Sequence, residues 1–513
     1  MNTKYLLIFL AVLFLLPWTA ALSGSNETVG MPASDEHAIV QGDSDVYDSV
    51  WHVHWVRTAF AEKLDPRVYG DISLAWHNMG WPDLFFSFIT GSSYNLMLFF
   101  GALFSAFTGF LLARSWGLGK SGSLLAGFII AWMPVRLIRM YQHYTIASIG
   151  YVLLVMLFLR NWVLKGGARN LILLIFFAAV AVMESLYHGV TIAFGWLISS
   201  FLMGRKYAKR SLIAGALAGA GCILGSLWFF TTPGALGQNP EKDWKEAVFW
   251  AAEPQSFFLP SFMGNPLIPD YMPNDFEGVV TPGATVAILA LLYCWMKRSW
   301  KALLAVLAVV ILSMGPLLKI NGIPTPVPLP YLILVKLPWL SAARAPSRLA
   351  ILAGIMAAIA AGAFVERRKP KAAWLLTGLI LLEIVPWGVR LIDSTIPGFY
   401  STDVAAGLTL EIPSSDLIRR YSLFSTADSS PRIVKFLARG GERQMENIPA
   451  GLIWGSTAAP DEADIILTGA ETVVYNRWMF TDSIRNHYDF LYKDIFPEQG
   501  KGDSVWVWVR TSL

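Results

Sequence analysis

Charge is scarce in this chain. Only 15% of its 513 residues are Asp, Glu, Lys or Arg, while 55% are hydrophobic; an ordinary soluble domain carries about 25% charged residues. That deficit excludes intrinsic disorder, which needs high charge and little hydrophobicity. The net charge is a modest +4, and the basic residues sit in short stretches between apolar runs. No nucleic-acid footprint is formed. Cysteine is nearly absent. Cys222 and Cys294 both lie inside apolar runs, which excludes a disulfide framework and a cysteine-based zinc site; they read as small apolar core residues. Internal repeats and low-complexity tracts are absent too.

Long apolar runs are abundant instead. A membrane helix needs about 20 mostly apolar residues. Such runs lie near 4–22, 94–113, 122–138, 145–160, 170–184, 189–204, 211–231, 283–296, 302–317, 349–365 and 373–391. Two further apolar stretches, 84–90 and 327–342, are broken by Pro or Gly and read as re-entrant or interfacial segments. The expected fold is a polytopic α-helical membrane protein of about 11 spans, integral to the cell membrane.

The distribution of Lys and Arg sets the orientation. With the N-terminus inside, the inner loops hold Arg114 and Lys120; Arg160, Lys165 and Arg169; Arg205, Lys206, Lys209 and Arg210; Lys297, Arg298 and Lys301; and Arg367, Arg368, Lys369 and Lys371, opposed only by Glu366. The outer loops are then 23–83, 232–282 and 318–348, and the first of them is acidic. The C-terminus lies outside the cytoplasm. Residues 1–22 fit a cleaved signal peptide or a retained first span; the reading adopted is retention.

Beyond residue 391 the composition turns polar. Segment 392–513 reads as a small extramembrane α/β domain beside the 1–391 transmembrane domain. Its strand signals are Ile465-Ile466-Leu467, Thr472-Val473-Val474-Tyr475 and Val505–Val509, and Thr481–Tyr492 reads as a helix. It shows no nucleophile elbow, phosphate loop or metal spacing.

Ionisable residues inside spans usually mark ion or substrate paths, and here Glu383 is the clearest case. Polar residues collect at the outer ends instead. Arg136, Arg139, Gln142 and His143 lie between spans three and four; Glu184, Tyr187 and His188 between five and six. Glu253, Asp270, Asp275 and Glu277 follow in loop 232–282, then Lys319, Lys336, Arg344 and Arg348 before span ten. Outer-face arginine opposes the positive-inside bias, and a guanidinium fork suits phosphate oxygens. Lipid headgroups or nearby acids are the plainer partners.

Loop 23–83 contains Gly42-Asp43-Ser44-Asp45, then a Trp- and His-rich stretch through Trp51, His52, His54 and Trp55. This predicts a helix lying in the membrane interface with both Trp rings at headgroup depth. Asp43, Ser44 or Asp45 would cap it, and Asp45, Asp48, His52 and Trp55 would share a face. An acid here suits a general base toward an acceptor hydroxyl. Asp43 and Asp45 also suit a divalent cation.

A first span followed by that acidic loop and Trp-rich helix resembles the GT-C superfamily of membrane glycosyltransferases. Gly315-Pro316-Leu317, Pro328-Leu329-Pro330-Tyr331, Leu337-Pro338-Trp339-Leu340 and Arg344-Ala345-Pro346-Ser347-Arg348 are similar to YfhO-type and related GT-C-like proteins, as are Glu277 before span eight and the C-terminal domain. The resemblance implies a sugar donor linked to polyprenyl phosphate, an outer-face reaction, and inversion. It implies Asp43 as base with Asp45 second, and Arg344 and Arg348 on the donor phosphate. Topology adds Arg136, Arg139 and His143 as substrate-binding candidates. A divalent metal, Mg or Mn, is compatible. The partners are the lipid-linked sugar, membrane lipid and a glycan, lipid or protein acceptor, with no nucleic acid. A lipid or polysaccharide transporter and a non-catalytic cell-envelope assembly protein stay open.

Overall fold

A computed structural model describes residues 2–23, 27–29, 46–65, 68–69, 72–73, 80, 82, 84, 94–232, 244–259, 276–336, 344–393, 409–412, 472–475, 486, 489–490 and 506–509. In chain order the elements are α1 (Thr3–Leu15), β1 (Glu27–Val29), α2 (Val46–Glu62), β2 (Val68–Tyr69), β3 (Ile72–Ser73), α3 (Tyr94–Ser115), α4 (Lys120–Trp132), α5 (Pro134–Met140), α6 (Tyr144–Ala147), α7 (Gly150–Lys165), α8 (Ala168–Glu184), α9 (Leu186–Met203) and α10 (Ala208–Phe230). Then come α11 (Trp244–Phe249), α12 (Ala284–Met296), α13 (Trp300–Ser313), β4 (Leu317–Ile320), β5 (Ile323–Pro328), α14 (Tyr331–Leu334), α15 (Ala350–Glu366), α16 (Pro370–Ile384), β6 (Leu391–Asp393), β7 (Thr409–Ile412), β8 (Thr472–Tyr475) and β9 (Trp506–Val509).

Each of the expected apolar runs falls on a helix. Among the described residues, five helices are long and apolar enough to cross a membrane: Tyr94–Ser115, Tyr144–Lys165, Leu186–Met203, Arg205–Phe230 and Pro346–Glu366; there are six if α4 and α5 form one span. The chain is thus an integral membrane protein. α4 and α5 meet at a 43° bend. Its cause is Pro134, which occupies the first position of α5 and holds Met133 in an extended conformation, as the residue before proline avoids the helical region.

The chain forms two compact units. One comprises residues 1–25, 79–229 and 241–390, the other 26–78, 230–240 and 391–513. In the first unit, α1 buries Leu6, Leu10 and Phe14 along one stripe. Phe14 meets Phe99, Phe128 and Trp132 edge to face. Close helix contacts rely on glycine. A Cβ at Gly127 would lie 2.3 Å from the Ala106 carbonyl oxygen, and one at Gly225 would lie 2.2 Å from that of Ala179. Small residues let membrane helices approach backbone to backbone, where dispersion contacts hold them.

Two glutamates cap helices other than their own. Glu366, at the end of α15, accepts from the Gly119 and Gly122 amides at the start of α4, at 2.8 and 3.2 Å. Glu383, near the end of α16, accepts from the Ala284 and Thr285 amides that open α12. A helix begins with unpaired N–H groups and a partial positive charge, so a carboxylate is favourable there. Glu383 therefore has a structural partner at a helix end.

The basic loops gather at one end of this unit. The Arg160 guanidinium lies 4.5 Å from the Trp116 ring centroid. Arg210 donates to the Val163 carbonyl at 3.4 Å, and Arg368 approaches Met296 Sδ at 3.1 Å. The opposite end carries the α4–α5 bend, where the Val135 amide donates to the Thr281 carbonyl at 3.1 Å.

In the second unit, β1 pairs antiparallel with β6. β7 pairs parallel with β8, which pairs antiparallel with β9. The expected strands at 472–475 and 505–509 coincide with β8 and β9; the expected strand at 465–467 lies outside the described residues. The expected helix after Gly42 is α2. Its Trp51 and Trp55 rings stack with planes 5° apart. Both are buried, at 1% and 9% exposure, so the rings pack against protein. Two large rings gain more from packing inside protein than from a wet interface.

Glu383→Ala removes the cap of α12. The expected cost is about 1–2 kcal/mol, read as a lower thermal midpoint of the detergent-solubilised chain. An unchanged midpoint would contradict the capping role.

Candidate functional site

At the bend end of the first unit, one carboxylate joins residues far apart in sequence. Glu277 lies in the short turn Phe276–Gly278 before α12 and is 1% exposed. Its Oε2 accepts from Arg139 Nη2 at 3.1 Å and from Ser347 Oγ at 3.2 Å. Its Oε1 accepts from Arg348 Nε at 2.7 Å and also contacts Arg348 Nη2. Burial alone would push the carboxyl upward. The guanidinium groups of Arg348 and Arg139 outweigh that and hold it at about 2. His143, half-buried before α6, adds to the same field.

Local structure sets each partner. Pro134 starts α5 after the bend, and Arg139 falls in its last turn. Arg139 also donates to the backbone carbonyls of Val279 and Glu277. This fully buried guanidinium thus fixes the course of the Glu277 segment as well as its charge. Ser347 and Arg348 lie in the tight turn Pro346–Leu349 that leads into α15. Arg348 is stacked 4.3 Å over the Tyr187 ring centroid, and 10% of its side chain reaches the surface. The stack uses the negative face of the ring and leaves the guanidinium little freedom to rotate.

Tyr187 belongs to a second polar group where α8 passes into α9. Ser185 is extended and precedes α9, yet its side chain makes no capping bond. Ser185 Oγ, Tyr187 Oη and His188 Nε2 are all buried without a hydrogen-bond partner among the described residues. Leaving a buried polar atom unpaired costs about 1–3 kcal/mol. Three together at a helix start form a place where a polar group or water is expected.

The remaining sequence candidates separate. Arg136 is buried, and it donates from Nε to the Ala147 carbonyl at 2.9 Å and from Nη1 to the Ala131 carbonyl at 2.8 Å. It ties the ends of α4 and α6. Arg344 pairs with Glu246 of α11 at 2.6 Å, both about one-third exposed at 38% and 33%. Asp43 and Asp45 lie outside the described residues. No group of three His, Cys, Asp or Glu residues fit to hold a metal occurs among the described residues. Glu277 has both oxygens engaged by arginine and serine, so it does not serve as a metal ligand in this arrangement.

Sequence reasoning placed Arg139 and Arg348 at this end but did not make Glu277 their shared partner. It also assigned no role to Ser347 or Tyr187. The available signal was charge: two arginines in apolar surroundings require a nearby acid.

No protein-family model matches the chain, and no curated protein matches it in sequence. Solved structures align with it at low identity. An Archaeoglobus fulgidus oligosaccharyltransferase tethered with an acceptor peptide is 10% identical over 96% of this chain and 71% of that chain, with a TM-score of 0.47. The arabinofuranosyltransferase AftD from Mycobacteria is 13% identical over 94% of this chain and 35% of that one, with a TM-score of 0.49. The Archaeoglobus fulgidus oligosaccharyltransferase AglB, in complex with an inhibitory peptide and a dolichol-phosphate, is 11% identical over 96% and 71%, with a TM-score of 0.40.

Glu277→Gln leaves two buried guanidinium groups without a counter-charge. The expected loss is about 3–5 kcal/mol, read by thermal unfolding in detergent. The pH dependence has a defined sign. The folded carboxyl titrates at about 2 against a reference of 4.5. The clamp's contribution is therefore complete above the reference value and fades as pH falls from there toward 2. An acid-unfolding profile that is the same in the native chain and in Glu277→Gln would contradict this.

Proposed function

We propose that this chain is an integral membrane glycosyltransferase. It moves a sugar from a polyprenyl-phosphate-linked donor to an acceptor hydroxyl at the outer membrane face. The single observation that carries the reading is the Glu277 cluster. It holds the Arg348 guanidinium in a fixed pose, at the opposite end of the membrane unit from the basic loops. By the positive-inside rule the basic end is cytoplasmic, which makes the Arg348 end the outer one.

In this reading the donor's isoprenoid tail lies along the spans and its phosphate meets Arg348. Ser185 Oγ and Tyr187 Oη donate to the phosphate oxygens at the start of α9, where the helix favours an anion. The leaving group is already a stable phosphate. The protein's work is then to hold the acceptor in line with the anomeric carbon, remove the acceptor's proton, and neutralise charge on the departing oxygen. Arg348 performs the last task, and a guanidinium fixed beforehand performs it without reorganisation. Asp43 is the base, with Asp45 second; their assignment rests on the sequence. Arg344 gives up its exposed pairing with Glu246 to take a further phosphate oxygen. Arg139 acts through Glu277 and does not itself touch substrate, and Arg136 ties helix ends, which narrows the set expected from the sequence. The acids left for a divalent cation are Asp43 and Asp45.

The test is transfer from radiolabelled polyprenyl-phosphate sugars in membranes containing the chain. Arg348→Lys keeps the charge but loses the fork and the stack, and transfer should fall at least tenfold, as expected for loss of a charge-assisted hydrogen bond worth about 1.5–3 kcal/mol. Asp43→Asn should abolish transfer with expression intact, and chelator should abolish it if Asp43 and Asp45 hold a cation. Native transfer by Asp43→Asn would remove the base assignment. Donor binding without any transfer by the native chain would favour the transporter or assembly reading.

A further inference from the structure

The loop between α13 and α15 contains a hairpin that the proposed reaction does not use. β4 and β5 pair antiparallel, with Ile320 opposite Ile323. The two connecting residues, Asn321 and Gly322, both have positive φ, at 50° and 81°. That is the backbone of a two-residue hairpin turn whose twist matches the strands.

Several polar groups of this hairpin are turned back onto the protein. Gln255 Nε2 donates to Asn321 Oδ1 at 3.2 Å, and the Gly322 amide donates to Glu253 Oε1 at 2.9 Å. Thr325 Oγ1 donates to the Leu318 carbonyl at 2.8 Å. Lys319, the only charged residue from 314 to 335, is buried and donates from Nζ to the Phe249 carbonyl at 2.8 Å. The large side chains left outside are apolar. Ile323 is 69% exposed, Ile333 is 70% exposed, and Ile320, Val327, Phe258 and Leu259 are exposed as well.

The free edge of β5 narrows the occupant. The Leu329 amide donates inward, to the Pro316 carbonyl at 2.9 Å. The pairing shifts register between Leu317 and Lys319, and positions 324, 326 and 328 of β5 are all proline, while the Val327 amide donates to Thr325 Oγ1 of its own strand at 3.4 Å. Half of the residues of β5 have no N–H to offer. A partner strand could not pair with such an edge in the usual way. A lipid surface is the environment in which unpaired N–H groups are most costly, and here proline has removed three of them. The hairpin begins at Leu317, a few residues after α13 ends at Ser313. A six-residue strand reaches about 20 Å, so it stays near the membrane boundary.

We propose that the β4–β5 hairpin inserts its apolar face into the outer leaflet and docks the loop onto lipid, with bilayer lipid as its occupant. The inference goes beyond glycosyl transfer and holds or fails independently of it.

The experiment uses the full chain, with Cys222 and Cys294 replaced by alanine, reconstituted into phosphatidylcholine vesicles. An environment-sensitive fluorophore is placed at Ile323→Cys, and at the exposed Glu62→Cys as a comparison site. Insertion predicts blue-shifted emission at 323, quenching by lipids carrying a nitroxide near the headgroup, and no quenching by iodide. Iodide quenching at 323 without lipid quenching would overturn the proposal by placing the hairpin in water. Protection from both quenchers would overturn it by placing protein there. Ile323→Asp supplies a second readout. Its side chain is exposed, so the detergent-solubilised fold should keep its thermal midpoint while lipid quenching at a label on Val327→Cys is lost.

Discussion

One buried carboxylate organises the membrane unit. Glu277 accepts from Arg139, Ser347 and Arg348 at once, so segments 138 residues before it and 70 residues after it converge on its two oxygen atoms. Buried charges are tolerated only when they are paired and hydrogen-bonded, and the pairing here is mutual: neither the arginines nor the glutamate is stable in that position alone. Removing any one partner leaves charge in a low-dielectric interior. The cluster is consequently a constraint on backbone course as much as an ion pair, because Arg139 also fixes the Val279 and Glu277 carbonyls.

In the proposed reaction that constraint has a chemical use. A free arginine samples many rotamers, and a phosphate that binds it must first order it. Arg348 is ordered beforehand, by Glu277 at its edge and Tyr187 at its face. The same device recurs elsewhere in simpler form. Glu366 and Glu383 hold the starts of neighbouring helices, where a carboxylate meets unpaired N–H groups.

Much of the helical frame was legible in the sequence, because a run of apolar residues long enough to span a bilayer has few alternatives. The run 122–138 read as one span, and the break at Met133-Pro134 inside it has its cause in the proline. The convergence on Glu277 was not legible. Arg139 and Glu277 lie 138 positions apart, and nothing in local periodicity pairs them; only the requirement that buried arginine find an acid pointed that way. Trp51 and Trp55 show a different limit. Their composition matched an interfacial belt, and the rings stack inside protein; aromatic spacing on a helix cannot distinguish a lipid-facing stripe from a packed one. Arg136 was legible as an outer-end arginine and a substrate-binding candidate but not as a binder of backbone carbonyls.

The central claim is that Arg348, held by Glu277 and Tyr187, is a phosphate receptor. Equilibrium binding of a polyprenyl phosphate and of the matching polyprenol to the purified chain tests it most directly. The account predicts that the native chain prefers the phosphate by about ten- to a hundred-fold, the scale of one charge-assisted hydrogen bond. Arg348→Gln should lose that preference while polyprenol affinity stays unchanged. An undiminished preference in Arg348→Gln would contradict the account.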